Sequence, residues 1–260
     1  MRFCSLGSGS AGNATLIEAG AVGGARRLLV DCGFSLRELE SRLARVGLAG
    51  DHLHAVFVTH EHGDHIGCAI TLASRYGVPL WMSRGTWRAI GAPELPGLIR
   101  FARDDQPIDL GALEITPFTV AHDAEEPLQL RCTDGAQCLG LLTDVGSSSP
   151  HLIEHLQGLD ALLLECNHDV AMLAASRYPA SLKARIGGRF GHLSNDTAAQ
   201  ILEACSHAGL RHVVAAHLSE RNNTPDLARA ALAPVWGERF ERIVVADQRH
   251  GFAWIDLAQA

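Results

Sequence analysis

Short apolar segments alternate with amphipathic ones along the whole chain. Period-two and β-branched runs predict strands, and apolar positions spaced three or four residues apart predict helices. The predicted strands are 1–6, 14–18, 27–31, 54–58, 113–120, 128–133, 138–143, 160–165, 212–216, 241–245 and 251–255, and the predicted helices are 35–46, 65–76, 149–156, 195–208 and 225–234. Several consecutive strands have no helix between them, which favours mixed sheets covered by helices over a purely parallel sheet. The pattern therefore predicts a layered α/β protein.

Composition indicates one large hydrophobic core. The chain has 260 residues, of which 47% are hydrophobic, so we expect a single domain over residues 1–260. No stretch approaches the roughly 18 apolar residues of a membrane span, and the first residues contain Gly-Ser-Gly-Ser instead of an apolar signal segment. The seven cysteines are scattered and never form C-x-x-C, which disfavours a disulfide framework. We therefore expect a cytoplasmic protein without a membrane partner, and no residue run predicts its oligomeric state.

The net charge of −7 argues at first against a nucleic-acid partner, because phosphate backbones favour basic surfaces. The charge is unevenly distributed, however. Between Asp169 and Asp196 there is no acidic residue, and this stretch contains the cations Arg177, Lys183, Arg185 and Arg189. Such a run is either an ordinary solvated face or a track for phosphate groups.

The segment His60-Glu61-His62-Gly63-Asp64-His65 is the strongest chemical signal in the chain. It follows the predicted strand 54–58 and leads into the predicted helix 65–76. His60 and His62 would project to the same side of an extended chain, and Asp64 and His65 would lie at the start of the helix. Imidazole and carboxylate ligands without thiolate suit Zn²⁺ best, with Mn²⁺ or Fe²⁺ as alternatives. The segment predicts a metal site, and the alternative is a polar loop with surface histidines.

Three further candidate ligands follow predicted apolar strands. His122 follows strand 113–120, Asp144 follows strand 138–143, and His217 follows strand 212–216. A single polar residue at a strand end is commonly a cap. Because the first motif requires partners, these three residues together predict the remainder of the metal site on a rigid scaffold.

In chain order, these seven residues resemble the signature of the metallo-β-lactamase-fold metallohydrolases. The resemblance is closer to the bacterial YycJ (WalJ) branch, whose pattern is also similar to segments 6–13, 29–33, 164–169, 191–195 and 217–225. It implies an αββα sandwich, in which two mixed β-sheets are flanked by helices and the metals lie at one sheet edge.

The resemblance also implies two divalent metal ions. The first would be bound by His60, His62 and His122, the second by Asp64, His65 and His217, and Asp144 would bridge them. Two ions about 3.5 to 4 Å apart lower the pKa of a shared water and stabilise both the attacking and the leaving oxygen. This implies hydrolysis by a metal-bound hydroxide, with Asp64 counted among the catalytic residues.

Two carboxylates are expected to position histidines. Asp31, at the end of strand 27–31, is expected to orient a ligand histidine, or alternatively to cap the turn before Gly33. Glu165 and His192 resemble the Glu and His of the related tRNase Z nucleases. This implies that His192 is the general acid and that Glu165 keeps it positioned and charged, whereas a buried Glu165 satisfied by backbone donors is the alternative.

Candidate substrate contacts come from three places in the sequence. Ser10 and Asn13 belong to the Gly-Ser loop 8–13, whose N–H groups could meet an anion. The resemblance implies that His168 and Asn223 could contact the substrate. The basic run contributes Lys183 and Arg185 if it faces the metals.

The predicted function is hydrolysis of phosphodiesters by a 5′–3′ exonuclease acting on DNA, with RNA as an alternative polymer. The alternatives are a phosphodiesterase for cyclic nucleotides or other small molecules, a thioester or lactone hydrolase, and a non-catalytic scaffold. Because every ligand position is occupied by a competent residue, the scaffold is disfavoured.

Overall fold

Two seven-stranded sheets form the centre of the computed structural model, which describes residues 1–20, 24–237 and 242–259. The first sheet has the order β14-β1-β2-β3-β4-β5-β6. Its strands are β1 (Arg2–Gly7), β2 (Ala14–Ala19), β3 (Arg26–Val30), β4 (Ala55–Phe57), β5 (Leu80–Met82), β6 (Ile99–Phe101) and β14 (Phe252–Asp256). Strands β3 to β6 pair in parallel. The pairs β14–β1, β1–β2 and β2–β3 are antiparallel.

The second sheet has the order β13-β12-β11-β10-β9-β8-β7 and repeats this arrangement. Its strands are β7 (Ile108–Asp109), β8 (Glu114–Thr119), β9 (Leu128–Thr133), β10 (Cys138–Leu142), β11 (Ala161–Glu165), β12 (His212–Ala216) and β13 (Val244–Val245). Strands β10 to β13 are parallel, and β7 to β9 continue antiparallel from β10. Both sheets are therefore mixed, as the uneven spacing of helices along the sequence predicts.

Helices cover the outer faces of the two sheets. They are α1 (Leu36–Arg45), α2 (Gly63–Ile66), α3 (Ala69–Tyr76), α4 (Arg84–Ala89), α5 (Pro150–His155), α6 (Val170–Ala175), α7 (Ala180–Ile186), α8 (Asn195–Cys205) and α9 (Pro225–Trp236), with a 3₁₀ turn at Gly50–His52. One hydrophobic cluster, including Phe57 and Leu130, fills the space between the sheets. A second lies under α5, α8 and α9, and a third lies under α1 and α3. This layering confirms the predicted αββα sandwich.

The structure corrects the predicted elements in several places. Strands β5, β6 and β7 and helices α4, α6 and α7 were not predicted, because elements of two to seven residues are too short to show a clear period. The predicted helix 65–76 is two helices. They separate at Gly67, where φ is 28° and a Cβ would lie 2.2 Å from the Cys32 carbonyl oxygen. Of the predicted strand 241–245, residue 241 lies outside the described residues, and β13 begins at Val244.

No helix within the described ranges is both long and apolar enough to cross a membrane.

Strand direction places the predicted site residues together. Strands β1, β3 and β4 run the same way in the first sheet, and β8, β10, β11 and β12 do so in the second. Residues that follow parallel strands share one edge of a sheet, where open α/β sheets bind ligands. The segments that follow these strands contain the metal-ligand candidates of both sheets.

Three loops at this edge are joined backbone to backbone. The Cys32 amide donates to the His65 carbonyl at 2.8 Å, the Asn13 amide donates to the Asp64 carbonyl at 2.8 Å, and the Gly33 amide donates to Asn13 at 2.9 Å. Gly33 is packed so closely that a Cβ there would lie 1.7 Å from the Asp64 carbonyl oxygen. The path of the histidine motif therefore depends on the absence of a side chain at residue 33.

We expect Gly33→Ala to destabilise the protein by about 1 to 3 kcal/mol, because neither backbone segment can move without breaking these hydrogen bonds. Gly63→Ala is the matched control, since a Cβ at Gly63 meets nothing within 4 Å. Urea unfolding of the two variants measures the difference. Equal midpoints would show that the contact at Gly33 does not constrain the loop.

Candidate metal centre

Three imidazole nitrogens converge at the end of β4 and β8. His60 Nε2 lies 3.1 Å from His62 Nδ1, and His122 Nε2 lies 3.3 Å from the same His62 atom. His60 and His122 are buried, whereas His62 is partly exposed. The structure thus brings together the three residues that the sequence assigns to one ion.

A second group contains Asp64, His65 and His217, which come from both sheets. Asp64 Oδ2 lies 3.7 Å from His65 Nε2 and 3.6 Å from His217 Nε2. Separations of this size between donor atoms leave space for an ion among them. These are the residues that the sequence assigns to the second ion.

Asp144 lies between the two groups. Its Oδ2 is 3.0 Å from His65 Nε2, and its Oδ1 is 3.9 Å from His122 Nε2. Asp144 Oδ2 and His217 Nε2 are buried, and neither makes a hydrogen bond. Buried polar atoms without partners are rare in folded proteins, and these two are a carboxylate oxygen and an imidazole nitrogen. The His/Asp cluster therefore fits a divalent cation, for which these are common ligand atoms.

The second ring nitrogen of four histidines is hydrogen-bonded to the protein. His65 Nδ1 lies 2.8 Å from Asp31, His217 Nδ1 lies 2.9 Å from Glu165, and His122 Nδ1 lies 3.0 Å from the Gly191 carbonyl oxygen. His60 Nδ1 lies 3.0 Å from the Thr59 hydroxyl. When Nδ1 donates, the lone pair is on Nε2, so these contacts orient the rings for metal binding.

Burial keeps two of these rings in their neutral form. Desolvation, followed by repulsion from His65, holds the pKa of His60 well below its usual range. Desolvation likewise lowers the pKa of His122, although Asp144 opposes the shift. A neutral imidazole is the form that binds metal.

Backbone strain is concentrated at this edge. Among the described residues, five non-glycine residues have a positive φ, and three of them are Asp31 (63°), Asp144 (55°) and His217 (54°). Each of these three follows a strand that ends at the cluster. A left-handed residue there turns the chain sharply, and such conformations persist only where the surroundings impose them.

Asp31 is buried and connects the first sheet to the histidine motif. Its carboxylate accepts hydrogen bonds from the Thr59 amide at 2.9 Å and from the Thr59 hydroxyl at 3.0 Å, as well as from His65. One carboxylate therefore fixes both the start of the motif and one of its rings. This is the contact expected of Asp31, rather than a turn cap alone.

Glu165 is completely buried and connects two histidines. Its Oε1 accepts from Nδ1 of His192 and Nδ1 of His217, each at 2.9 Å, and its Oε2 accepts from the amides of Val145 and Leu193. Burial alone would raise the pKa of Glu165, but the charge of His192 and the hydrogen bonds from both histidines lower it to about 2. The alternative expected for Glu165, a buried carboxylate satisfied by backbone donors, therefore holds for Oε2 but not for Oε1.

His192 is the partly exposed member of this network, at 23% of its side-chain surface. Desolvation would lower its pKa, but the Glu165 carboxylate raises it above the usual value. Within the described chain, its Nε2 has no hydrogen-bond partner. A protonated, partly exposed imidazole beside a metal-ligand cluster can donate a proton to a substrate oxygen.

The Gly-Ser loop is not an open anion site. The Gly9 amide donates to the Asn13 side chain at 2.8 Å, and the Gly12 amide donates to Gly9 at 2.9 Å. Ser10 is exposed, whereas Asn13 is buried with its Nδ2 3.1 Å from His65 Nε2. Asn13 thus packs against metal-ligand candidates instead of facing an open surface.

The other expected substrate contacts fall in different environments. His168 is buried, and its Nδ1 has no hydrogen-bond partner. Asn223 is buried as well, but it borders a cavity of about 570 Å³ that Ser8 also lines. Lys183 Nζ donates to the Ala174 carbonyl oxygen at 2.5 Å, and Arg185 Nε donates to Asp123 at 2.6 Å. Of these four residues, Arg185 is exposed and lies near the cluster through Asp123, whereas Asn223 reaches only the wall of that cavity.

Three residues of the site were missed in the sequence. Thr59 contacts Asp31 and His60, Ser8 Oγ accepts from the His217 amide at 2.9 Å, and Asp123 Oδ1 lies 3.4 Å from His122 Nε2. Thr59 and Asp123 are direct neighbours of predicted ligands, which was the available signal. Ser8 contacts His217 across 209 positions of sequence, and no local pattern shows that contact.

The chain belongs to the beta-lactamase superfamily: residues 26–218 match the model of the beta-lactamase superfamily domain. It is 34% identical to exodeoxyribonuclease YycJ of Bacillus anthracis, over 92% of this chain and 90% of that protein. It is 32% identical to exodeoxyribonuclease WalJ of Streptococcus pneumoniae, over 89% of this chain and 86% of that protein. These matches confirm the resemblance to the YycJ (WalJ) branch.

Solved structures show the same fold. The metallo-beta-lactamase fold protein YhfI from Bacillus subtilis superposes with a TM-score of 0.72 at 22% identity, covering 98% of each chain. The short form of human tRNase Z superposes with a TM-score of 0.67 at 17% identity, covering 99% of each chain. The architecture is therefore shared over nearly the full length.

We expect Asp31→Asn to weaken metal binding about 10- to 100-fold, because the amide is a poorer acceptor for His65 Nδ1 and no longer fixes its tautomer. Asn tolerates a positive φ, so the backbone should be retained. Titration with Zn²⁺ against a competing chelator measures the affinity.

Asp160→Asn is the matched control, since Asp160 contacts Arg211 and the Cys138 amide before β11, at the opposite end of that strand. An equal loss of zinc affinity in Asp31→Asn and Asp160→Asn would contradict the role of Asp31 in orienting His65.

Proposed function

We propose that this protein is a two-metal phosphodiesterase that degrades DNA as a 5′–3′ exonuclease. The observation that carries the proposal is the Glu165–His192 pair, which lies beside a cluster of two ligand groups. The names of the relatives from Bacillus anthracis and Streptococcus pneumoniae support DNA as the polymer.

In this proposal, His60, His62 and His122 would hold one ion, Asp64, His65 and His217 would hold the other, and Asp144 would serve both. Zn²⁺ is the proposed metal, and Mn²⁺ or Fe²⁺ would suit the same nitrogen and oxygen ligands. When bound, two such ions supply an activated water and stabilise negative charge on the phosphoryl oxygens.

The remaining chemistry is assigned to residues of the chain. A departing deoxyribose oxygen needs a proton, and Glu165 favours the protonated form of His192 because it raises the pKa of that imidazole. Glu165 also accepts from His217, so a single buried carboxylate sets the position of the proton donor relative to the metal ligands. A carbonyl substrate such as a lactone has less need for this donor.

We also propose that the activity is located in the cytoplasm. All seven cysteines are free, and all but Cys138 are buried. Unpaired cysteines are typical of a reducing compartment.

Protein loaded with Zn²⁺ or Mn²⁺ should release nucleotides from the 5′ end of single- or double-stranded DNA. Asp64→Ala should abolish most of this release without unfolding the protein, because it removes one ligand of the second group. Gel analysis of 5′- and 3′-labelled DNA measures the activity and its direction, and circular dichroism checks the fold.

If the loaded wild type leaves DNA and RNA intact but hydrolyses a 2′,3′-cyclic nucleotide, a small-molecule phosphodiesterase is the correct assignment. Rapid hydrolysis of a thioester or lactone without any phosphodiester cleavage would overturn both the nuclease and the small-molecule phosphodiesterase assignments. Less than one equivalent of transition metal in freshly purified protein would exclude the two-metal site.

His192→Ala should slow DNA hydrolysis about 10²- to 10⁴-fold, because the alkoxide leaving group loses its proton donor. Thymidine 5′-(p-nitrophenyl phosphate) releases p-nitrophenolate, which needs no proton, so its hydrolysis should change by less than about tenfold. His212→Ala is the control, since His212 begins β12 at the opposite end from His217. Equal losses on both substrates would assign His192 to metal or substrate binding instead of proton donation.

A further inference from the structure

One aromatic side chain near the cluster is unusually exposed. Among the described residues, the exposed large hydrophobic side chains are Val170 (54%), Phe190 (53%) and Leu227 (37%), and Phe190 alone is aromatic. A single exposed apolar side chain is common on protein surfaces, so the exposure of Phe190 alone does not identify a partner. The position of Phe190 identifies the kind of partner.

The backbone of Phe190 is tied to the metal-ligand cluster. Its carbonyl oxygen accepts from the Asp123 amide at 2.9 Å, and the carbonyl oxygen of the next residue, Gly191, accepts from His122 Nδ1 at 3.0 Å. Two residues further along, His192 contacts Glu165. The backbone at Phe190 is therefore next to the segment that carries His122, and it lies two residues before the proposed proton donor.

The loop that carries Phe190 is tightly packed through its backbone. A Cβ at Gly146 would lie 2.3 Å from the Arg189 carbonyl oxygen, and a Cβ at Gly191 would lie 2.1 Å from that of Arg185. The Gly191 amide also donates to Gly188 at 2.9 Å. A fixed backbone reduces the entropy lost when a ligand binds a side chain that the loop carries.

The charge around Phe190 favours a polyanion over a protein partner. The Arg189 guanidinium lies 5.6 Å from the centre of the Phe190 ring and forms no ion pair with any described residue. Helix α7, which precedes this loop, contains no acidic and no buried residue, but its Arg185 already pairs with Asp123. An aromatic ring with an adjacent free arginine is the arrangement that binds a base and its phosphate in single-stranded nucleic acid.

We propose that Phe190 stacks on a nucleobase of the DNA strand next to the cleaved phosphodiester, and that Arg189 contacts a neighbouring phosphate. This rests on the proposed nuclease function and adds a substrate-positioning residue to it. Stacking is tolerant of sequence because every base has an aromatic face, so the contact would fix the strand without selecting a base.

The test uses a series of oligonucleotides in which an abasic tetrahydrofuran replaces one nucleotide, at a different position in each strand. Each is compared with the intact strand. Phe190→Ala should lower kcat/KM on intact DNA about 5- to 150-fold, mainly through KM, because one base loses its stacking partner. On the oligonucleotide that is abasic at the stacked position, wild type and Phe190→Ala should be equal. Phe190→Trp should retain activity, whereas Phe190→Leu should not.

Arg189→Ala should weaken DNA binding at all sequences and reduce the salt dependence, the slope of log Kd against log salt, by about one. For Phe190→Ala the matched control is Leu227→Ala, because Leu227 is an exposed apolar residue in α9 outside the site. Metal content and thermal midpoint check that each variant is folded.

A loss in Phe190→Ala that persists at every abasic position would overturn the stacking role, as would full activity of Phe190→Leu. A change in oligomeric state in Phe190→Ala, with DNA cleavage unaltered, would assign the ring to a protein interface. Fluorescence anisotropy of the same oligonucleotides in EDTA measures stacking without catalysis. A wild type that cleaves no DNA therefore contradicts the proposed function alone, and the binding data still decide the role of Phe190.

Discussion

Burial of charged and polar ligand atoms is the constraint on which the centre of this structure depends. His65, His217, Asp144 and Glu165 are each at most 2% exposed, and a group of this kind is stable inside a protein only when each member has a partner. Asp31 and Glu165 satisfy this requirement by each binding the outer nitrogen of a ligand histidine. On the inner face, Asp144 Oδ2 and His217 Nε2 have no hydrogen-bond partner, and a cation would satisfy both atoms.

The same contacts connect the two sheets. Asp31 follows β3 in the first sheet, whereas Glu165 ends β11 in the second, and the histidines they orient meet across the edge between the sheets. Because Glu165 binds both His217 and His192, metal binding and proton donation share one support. A substitution at Glu165 would therefore affect both, whereas a substitution at His192 would leave the contact of Glu165 with His217 in place.

Much of the site could be predicted because its residues are individually unusual. The histidine motif is dense, and His122, Asp144 and His217 each follow an apolar strand. Both the residue types and their positions at strand ends therefore predict a metal site. Substrate contacts were harder. Asn13 and His168 are polar residues in family-like segments, yet both are buried, and Lys183 binds the C-terminal end of α6. Whether a polar side chain faces solvent or the protein depends on neighbours far away in sequence, and a local pattern does not contain them.

The sequence by itself determined the layered α/β class, through its hydrophobic periods, and the chemical nature of the ligands, through residue type. It also determined the order of the ligands along strand ends. Only the tertiary structure decided which atoms meet: that His62 presents Nδ1 while His60 and His122 present Nε2, that Glu165 serves two histidines, and that Phe190 is exposed beside the cluster. The physical reason is that period and residue type are local properties, whereas distance, burial and ring orientation arise only when segments far apart in the chain pack together.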